Sequence, residues 1–101
     1  MAKQIVWTIT AQEARKAILE FWIKHNKSKT YSRKLAKQFR ARTAYLSKNN
    51  YLGKPTDFKD VHVTFVSHFS LFYKVTPSEI IIVGIWDNRR NPEDLIKNID
   101  S

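Results

Sequence analysis

The sequence predicts an α+β fold in which a helix hairpin packs on one face of a mainly antiparallel sheet. Apolar residues recur at helical spacing in the first half of the chain, whereas the second half contains short strand-like apolar segments. Short turns join the last three of these segments, so the corresponding strands should be antiparallel neighbours. The predicted order of elements is β-α-α-β-β-β-α, which gives a two-layer architecture in a single domain of residues 1–101.

The N-terminal part of the chain predicts a strand followed by a helix. Gln4–Ile9 places large apolar residues at every second position, which is the pattern of a strand with one buried face. Thr10–Glu13 has the sequence of a capping box and predicts a helix start, and a cationic cluster suits the helix end near His25–Asn26. The helix carries one apolar stripe, which consists of Ala14, Ala17, Ile18, Phe21 and Trp22.

A second helix is predicted from Ser28 or Thr30, either of which can cap it, to about Ser47. Its apolar residues also recur at helical spacing, and the remaining positions are largely Lys and Arg. Because only a few residues separate the two helices, they should pack as an antiparallel hairpin. The apolar stripe consists of Tyr31, Leu35, Phe39, Thr43 and Leu46.

The second half of the chain predicts a loop, three strands and a short terminal helix. Asn49–Asp60 contains a Gly and a Pro, which are typical of a loop. Val61–Ser67 alternates as a strand does, and Leu71–Val75 and Ile80–Trp86 are rich in aromatic and β-branched residues. Asn91–Ile99 has a Pro and two acidic residues at its beginning, which favour a helix start.

The composition excludes several classes of function. The chain has 101 residues and no cysteine, so disulfides and thiolate zinc sites are excluded. Its three histidines lack the spacing of metal ligands, and two glycines are too few for a Gly-rich nucleotide-binding loop. We therefore expect neither a cofactor nor a metal. A signal peptide and an apolar run of membrane-spanning length are also lacking, which predicts a cytoplasmic protein.

The distribution of charge predicts a negatively charged partner. The net charge is +9, and no Asp or Glu occurs between Phe21 and Thr56. A field of one sign attracts a nucleic acid or an acidic protein; the alternative is a solvated helix face that aids solubility. The basic residues of this stretch are Lys24, Lys27, Lys29, Arg33, Lys34, Lys37, Arg40, Arg42, Lys48 and Lys54.

The candidate chemistry lies near the end of the last predicted strand. Arg89 and Arg90 follow that strand and could bind an anion such as a phosphate. RNA cleavage by its own 2′-hydroxyl needs an acid, a base and cations. Asp87 could instead pair with one of the arginines, and Trp86 could be a stacking platform or a core residue. The possible acids and bases are His62, His68 and Tyr73, of which Tyr73 suits a core position better; further possible nucleic-acid contacts are Lys54, Lys59, Lys74 and Asn88.

The order of elements, the basic helix hairpin, the segment FSLFYKVTPSEIIIVGIW and the following NRRNP resemble the RelE/ParE superfamily. These proteins are the small toxins of bacterial type II toxin–antitoxin modules, which include plasmid-stabilisation systems. The resemblance covers essentially the whole chain. It implies the two-layer RelE/ParE-like fold and a growth-inhibiting toxin that a cognate antitoxin neutralises. An acidic antitoxin would contact the basic face of the second helix, which carries Arg33, Lys34, Lys37 and Arg40.

Members of this superfamily differ in their target: RelE-like toxins cleave mRNA on the ribosome, and ParE-like toxins inhibit DNA gyrase without nuclease activity. Where RelE-like nucleases have an Arg, a Tyr and a second Arg, this chain has Ser70, Leu95 and His62. Only the strand-end Arg is retained, as Arg89 or Arg90. These departures favour gyrase inhibition. The alternatives are an mRNA endonuclease that uses a histidine with the arginine pair, and a plain basic nucleic-acid-binding module.

Overall fold

A computed structural model, which describes residues 2–89, consists of five strands and two helices in two layers. The strand order is β1-β5-β4-β3-β2, with β1 parallel to β5 and the other neighbours antiparallel. The predicted α+β fold is confirmed, while the predicted helix Asn91–Ile99 lies outside the described residues. The elements are β1 (Gln4–Trp7), α1 (Ile9–Asn26), α2 (Thr30–Lys48), β2 (Lys54–Pro55), β3 (His62–Val66), β4 (Phe69–Val75) and β5 (Glu79–Asp87).

The start of α1 differs from the prediction. Thr8, not Thr10, caps the helix: its backbone is extended, and its side-chain hydroxyl accepts a hydrogen bond of 3.1 Å from the backbone N–H of Ala11. The capping box predicted over Thr10–Glu13 is therefore wrong, and Thr10 lies inside the first turn. Thr8 takes this position because its N–H still bonds the carbonyl of Ile82, so that β1 and α1 are joined without a loop.

The main core lies between the helix hairpin and one face of the sheet. The predicted stripe of α2 is buried there, apart from the half-buried Tyr31, and its largest members contact the central strands. The hydroxyl of Ser32 donates to the carbonyl of Leu19 at 2.9 Å and ties the two helices together. Each large side chain buried here contributes about 1.5–3 kcal/mol. The fully buried residues of this core include Leu35, Phe39, Leu46, Phe69, Leu71, Tyr73, Ile80 and Ile82.

The opposite face of the sheet carries a second, smaller cluster. Val61, Phe72 and Trp86 are buried there, and Phe58 from the segment between β2 and β3 packs against them. β5 has a bulge opposite Phe72 and Tyr73, and its extra residue, Val83, packs against the same cluster. Within residues 2–89, no helix is both long enough and apolar enough to cross a membrane.

The segment predicted as a loop contains a short edge strand, β2, so this part of the prediction is wrong. Lys54 and Pro55 pair with β3, and Pro is tolerated because an edge strand leaves one side without a ladder partner. Gly53 immediately before β2 donates its N–H to the hydroxyl of Tyr73 at 2.9 Å. A Cβ on Gly53 would collide with the carbonyl oxygen of Val63 and would lie 2.9 Å from the Tyr73 hydroxyl. Glycine is therefore required for this close approach.

Candidate functional site at the end of strand β5

The side chains of Asp87 and Arg89 form a two-pronged ion pair at the end of β5. The Arg89 Nε and Nη2 atoms lie 2.9 and 2.8 Å from Asp87 Oδ1 and Oδ2, and the Arg89 backbone N–H also donates to Oδ1. These side-chain hydrogen bonds hold the pKa of the Asp87 carboxyl below its ordinary value and raise the pKa of Arg89. The charge of this guanidinium is therefore balanced within the chain, which lowers its value as an anion-binding group.

Aromatic rings fix the position of the Arg89 side chain. The guanidinium carbon lies 5.0 Å from the ring centroid of Trp22 and 6.0 Å from that of Phe69. Trp22 in turn contacts Tyr31 edge to face, with centroids 5.1 Å apart, so the contact joins both helices to the end of the sheet. Arg89 therefore connects the end of the sheet to the hairpin, with 46% of its side chain still exposed.

A partly buried hydrogen bond connects the start of β4 to the end of β5. Ser70 is only 5% exposed, and its hydroxyl donates to Asn88 Oδ1 at 2.6 Å. The backbone N–H of Asn88 donates to the carbonyl of His68 at 2.9 Å. Ser70 therefore supports the geometry of the strand end and is not available to a ligand.

The structure places the two candidate histidines at opposite ends of the sheet. His68 precedes β4, and its carbonyl accepts the N–H of Asn88, the residue that follows Asp87. His62 pairs with Tyr73 of β4. Asp87 pairs with Phe69, which lies four residues before Tyr73 on the same strand. At 3.3 Å per residue this separation is roughly 13 Å. Of the two histidines, only His68 therefore lies near Arg89. Within residues 2–89, no group of three or more His, Asp or Glu residues could hold a metal ion.

Tyr73 has a structural role that explains its place in the sequence. Its side chain is fully buried, its hydroxyl accepts the N–H of Gly53, and its ring stacks on His62 at a centroid distance of 5.5 Å. Burial raises the pKa of the Tyr73 phenol above its ordinary value. Tyr73 therefore fixes the segment before β2, in agreement with the prediction that it suits a core position.

The lysines predicted as nucleic-acid contacts do not gather around Arg89. Lys54 is on the edge strand β2, Lys59 is in the segment after it, and Lys74 is near the far end of β4. Trp86 is 4% exposed and belongs to the second hydrophobic cluster, so it offers no open stacking surface. Arg90 lies outside the described residues.

The basic residues of α2 form an exposed face. Arg33, Lys34, Lys37 and Arg40 are all exposed, while the stripe opposite them is buried in the main core. In the part of the chain that the structure describes, the only ion pairs are Lys16–Glu20 and Asp87–Arg89. The positive charge of α2 is therefore not neutralised there by carboxylates of the same chain.

Sequence reasoning missed a groove between α1 and the end of β5. Its volume is about 710 Å³, and Ala14, Ala17 and Phe21 of the predicted apolar stripe line it together with Val83 and Ile85. Phe21 is 54% exposed, so the stripe that predicted core packing is only partly covered. The only sequence signal for this groove was the apolar stripe itself, and helical periodicity alone does not distinguish a core face from an open groove.

Comparison with known proteins identifies the family. Residues 5–92 match the model of the ParE toxin of the type II toxin–antitoxin system, parDE. A solved structure described as the chromosomal ParDE TA system from P. aeruginosa is similar, with a TM-score of 0.72 and 20% sequence identity. The alignment covers 83% of this chain and 94% of that one, and at this identity it supports the fold. No curated protein matches the sequence. The chain belongs to the ParE toxin family of type II toxin–antitoxin systems.

Proposed function

We propose that this chain stops bacterial growth by inhibiting DNA gyrase, without cleaving RNA, until its antitoxin neutralises it. The observation that carries this proposal is the state of Arg89, whose guanidinium is bound by Asp87 and held over Trp22 and Phe69. A nuclease needs a cation that is free to stabilise the developing charge of the phosphorane, and such a group is worth about 3 kcal/mol. An arginine already neutralised by a carboxylate supplies less of this stabilisation.

The surroundings of Arg89 support the same choice. Ser70 stands where RelE-like nucleases are expected to carry a phosphate-binding Arg, and the hydroxyl of this buried residue donates to Asn88. His62 is roughly 13 Å along the strand from this position, which is beyond direct proton transfer to a substrate held at Arg89. These features favour a toxin that acts by binding a large target.

The partner that neutralises such a toxin should be acidic where it contacts α2. Arg33, Lys34, Lys37 and Arg40 present four positive charges on one exposed helix, without carboxylate partners within residues 2–89. Complementary charge mainly accelerates association and selects the partner. We therefore propose these four residues as antitoxin contacts.

One observation favours ribosome-dependent mRNA cleavage as a second candidate. His68 lies beside Asp87 and Arg89, so one potential acid or base and one cation do share this end of the sheet. A nuclease built on this pair would lose activity in both His68→Gln and Arg89→Ala. His62→Gln is the matched control, since His62 lies at the other end of β3.

Controlled expression in a bacterial host tests the proposal. We expect growth arrest with filamentation and a DNA-damage response, rescued by co-expression of the protein encoded by the adjacent gene. His62→Gln and His68→Gln should retain the arrest. A rapid fall in translation that His68→Gln abolishes would instead support the nuclease. Harmless expression combined with tight, salt-sensitive binding to naked nucleic acid would support a simple nucleic-acid-binding module.

A further inference from the structure

We propose that the surface between α2 and the outer edge of β3 is where this toxin binds its target, a protein whose contacting surface is acidic around an apolar centre. This inference rests on the proposed function, because it assigns the surface through which growth is stopped. The observations that support it are a patch of exposed apolar side chains, a strand edge without a neighbouring strand beside that patch, and the positive charge of the elements that form both.

Three large apolar side chains are exposed together at this surface. Tyr45 of α2 is 52% exposed, Leu52 before β2 is 42% exposed and Phe65 of β3 is 55% exposed. All three line one groove between the helix and the strand, with a volume of about 550 Å³. Apolar side chains that gather on a surface, unlike those that are scattered singly, mark a site of interaction.

The outer edge of β3 is covered over only part of its length. β2 contributes two residues, and its pairing with β3 ends at Val63. The carbonyl of Val61 accepts the N–H of Thr56 on this side, and backbone groups of alternate strand residues point the same way, so those of Phe65 point to this side too. Beyond Val63, no strand within residues 2–89 pairs with this edge. The backbone of Phe65 is therefore open to a partner chain.

The wall that α2 forms beside this edge suits a protein contact. Gln38, Ala41 and Tyr45 line the groove at spacings of three and four residues, over roughly 10 Å of the helix. Ala41 is small and exposed, which leaves room for a side chain of the partner. Arg42 is half-buried in the same wall. Tyr and Arg are among the residue types that contribute most to the affinity of protein interfaces.

The charge around the groove indicates the chemistry of the partner. No Asp or Glu occurs between Phe21 and Thr56 or between Val61 and Ser78, so α2, β3 and β4 contain none. Arg42 lines the groove, and Lys48 follows Tyr45 by one turn of the helix. A second copy of this chain is disfavoured, because two chains of net charge +9 would bring the same cations together. Carboxylates around an apolar centre would complement both the charge and the patch.

A protein fits this surface better than a nucleic acid does. Among the described residues, Arg42 is the only cation that lines the groove. A nucleic acid is held mainly by several cations placed along its phosphates. Here the centre is apolar, and the adjoining strand edge offers hydrogen bonds to a polypeptide backbone.

Growth arrest in a bacterial host tests this surface whatever the identity of the target. Phe65→Thr removes the exposed ring but keeps a β-branched residue in the strand, and Arg42→Glu reverses the charge in the groove. The matched controls are Ile9→Thr, at a side chain that is 75% exposed on α1, and Lys16→Glu, which makes the same change of charge on α1. At equal abundance, we expect both controls to arrest growth as the wild type does, and the two test variants to need about tenfold more protein or to cause no arrest. Arrest by both test variants at the wild-type level would overturn the proposal.

Affinity for the protein encoded by the adjacent gene separates target binding from misfolding and from antitoxin binding. Phe65→Thr and Arg42→Glu should each bind this antitoxin within about twofold of the wild-type affinity. If both variants lose this affinity together with the arrest, the surface is not specific to the target and the proposal is overturned.

Three measurements on the purified full chain test other occupants. Fluorescence anisotropy should give Phe65→Thr and the wild type the same affinity for labelled single-stranded and duplex DNA, and a tenfold loss would assign the surface to nucleic acid. Light scattering should give both the same mass, and a doubled mass that Phe65→Thr abolishes would assign it to a second copy. Slow hydrogen exchange of the Phe65 amide in the free monomer would assign it to the chain's own C-terminal residues. Each of these three results would overturn the proposal.

Binding to purified DNA gyrase distinguishes this inference from the proposed function. We expect the wild type and both controls to bind gyrase, and Phe65→Thr to bind it about tenfold or more weakly. If the wild type arrests growth without binding gyrase, while Phe65→Thr abolishes the arrest, the surface assignment stands and gyrase inhibition falls. If both test variants still bind gyrase and arrest growth, gyrase inhibition stands and the surface assignment falls.

Discussion

Replacing Gly53 by alanine should destabilise the protein far more than the same change at Gly84. A Cβ on Gly53 would overlap the carbonyl oxygen of Val63 and would come within 2.9 Å of the Tyr73 hydroxyl, so the segment before β2 must move. Overpacking of this kind costs about 1–3 kcal/mol. The movement also breaks the 2.9 Å hydrogen bond to Tyr73, which adds about 1 kcal/mol. We therefore expect a loss of about 2–4 kcal/mol, or roughly 10–25 °C in Tm for a domain of this size.

Urea unfolding followed by tryptophan fluorescence measures this difference in free energy of unfolding. Gly84→Ala is the matched control, because a Cβ there meets no atom within 4 Å and the backbone φ of Gly84 is not positive. It should change stability by less than about 1 kcal/mol, with either sign. If Gly53→Ala and Gly84→Ala have the same stability, the close packing of Gly53 against β3 and β4 is not what orders this edge of the sheet.

Three further changes test other parts of the account. Thr8→Ala should lower the free energy of unfolding by about 1 kcal/mol through loss of the helix cap, whereas Thr10→Ala should lower it by less than about 0.5 kcal/mol. A larger loss of thermal stability in Thr10→Ala than in Thr8→Ala would instead support the predicted capping box. Because the pKa of Asp87 is lowered, its ion pair stabilises the fold above about pH 4, and this stabilisation is lost as the pH falls through the lowered pKa. Asp87→Asn should therefore reduce the fall in Tm below about pH 5. An unchanged dependence of Tm on acid pH would contradict this. Lys34→Glu combined with Lys37→Glu should slow association with the antitoxin and weaken the salt dependence of the association rate. Surface plasmon resonance at two salt concentrations measures both effects. Unchanged rates would show that α2 does not belong to the antitoxin interface.

The two helices show what helical periodicity alone can predict about buried faces. The stripe of α2 predicted its buried face because this helix lies across the sheet, with Leu35, Phe39 and Leu46 in the main core. The stripe of α1 has the same period, but its residues line an open groove. On the side of α1, β1 pairs with β5 only as far as Ile82, and no other strand within residues 2–89 continues this pairing. This difference is set by tertiary packing, and a local sequence pattern does not encode it.

The candidate site was predictable in position but not in arrangement. Pairing of Asp87 with one of the two arginines was one of the alternatives that the sequence indicated, and the structure shows the pair with Arg89. The predicted strand between His62 and His68 already separates the two histidines. The pairing of β4 with β3 and β5 decides which of them lies near Asp87, and a local sequence pattern does not encode that pairing. The cation–π contact of Arg89 with Trp22 joins residues 67 positions apart and has no local signal.

A supercoiling assay with purified DNA gyrase, run beside an in vitro translation reaction, tests the central claim most directly. The full chain should inhibit supercoiling of relaxed plasmid, and the purified antitoxin should restore it, while the mRNA in the translation reaction remains intact. Ribosome-dependent cleavage of the mRNA that is lost in Arg89→Ala, together with unaffected supercoiling, would contradict the account and establish the chain as a nuclease.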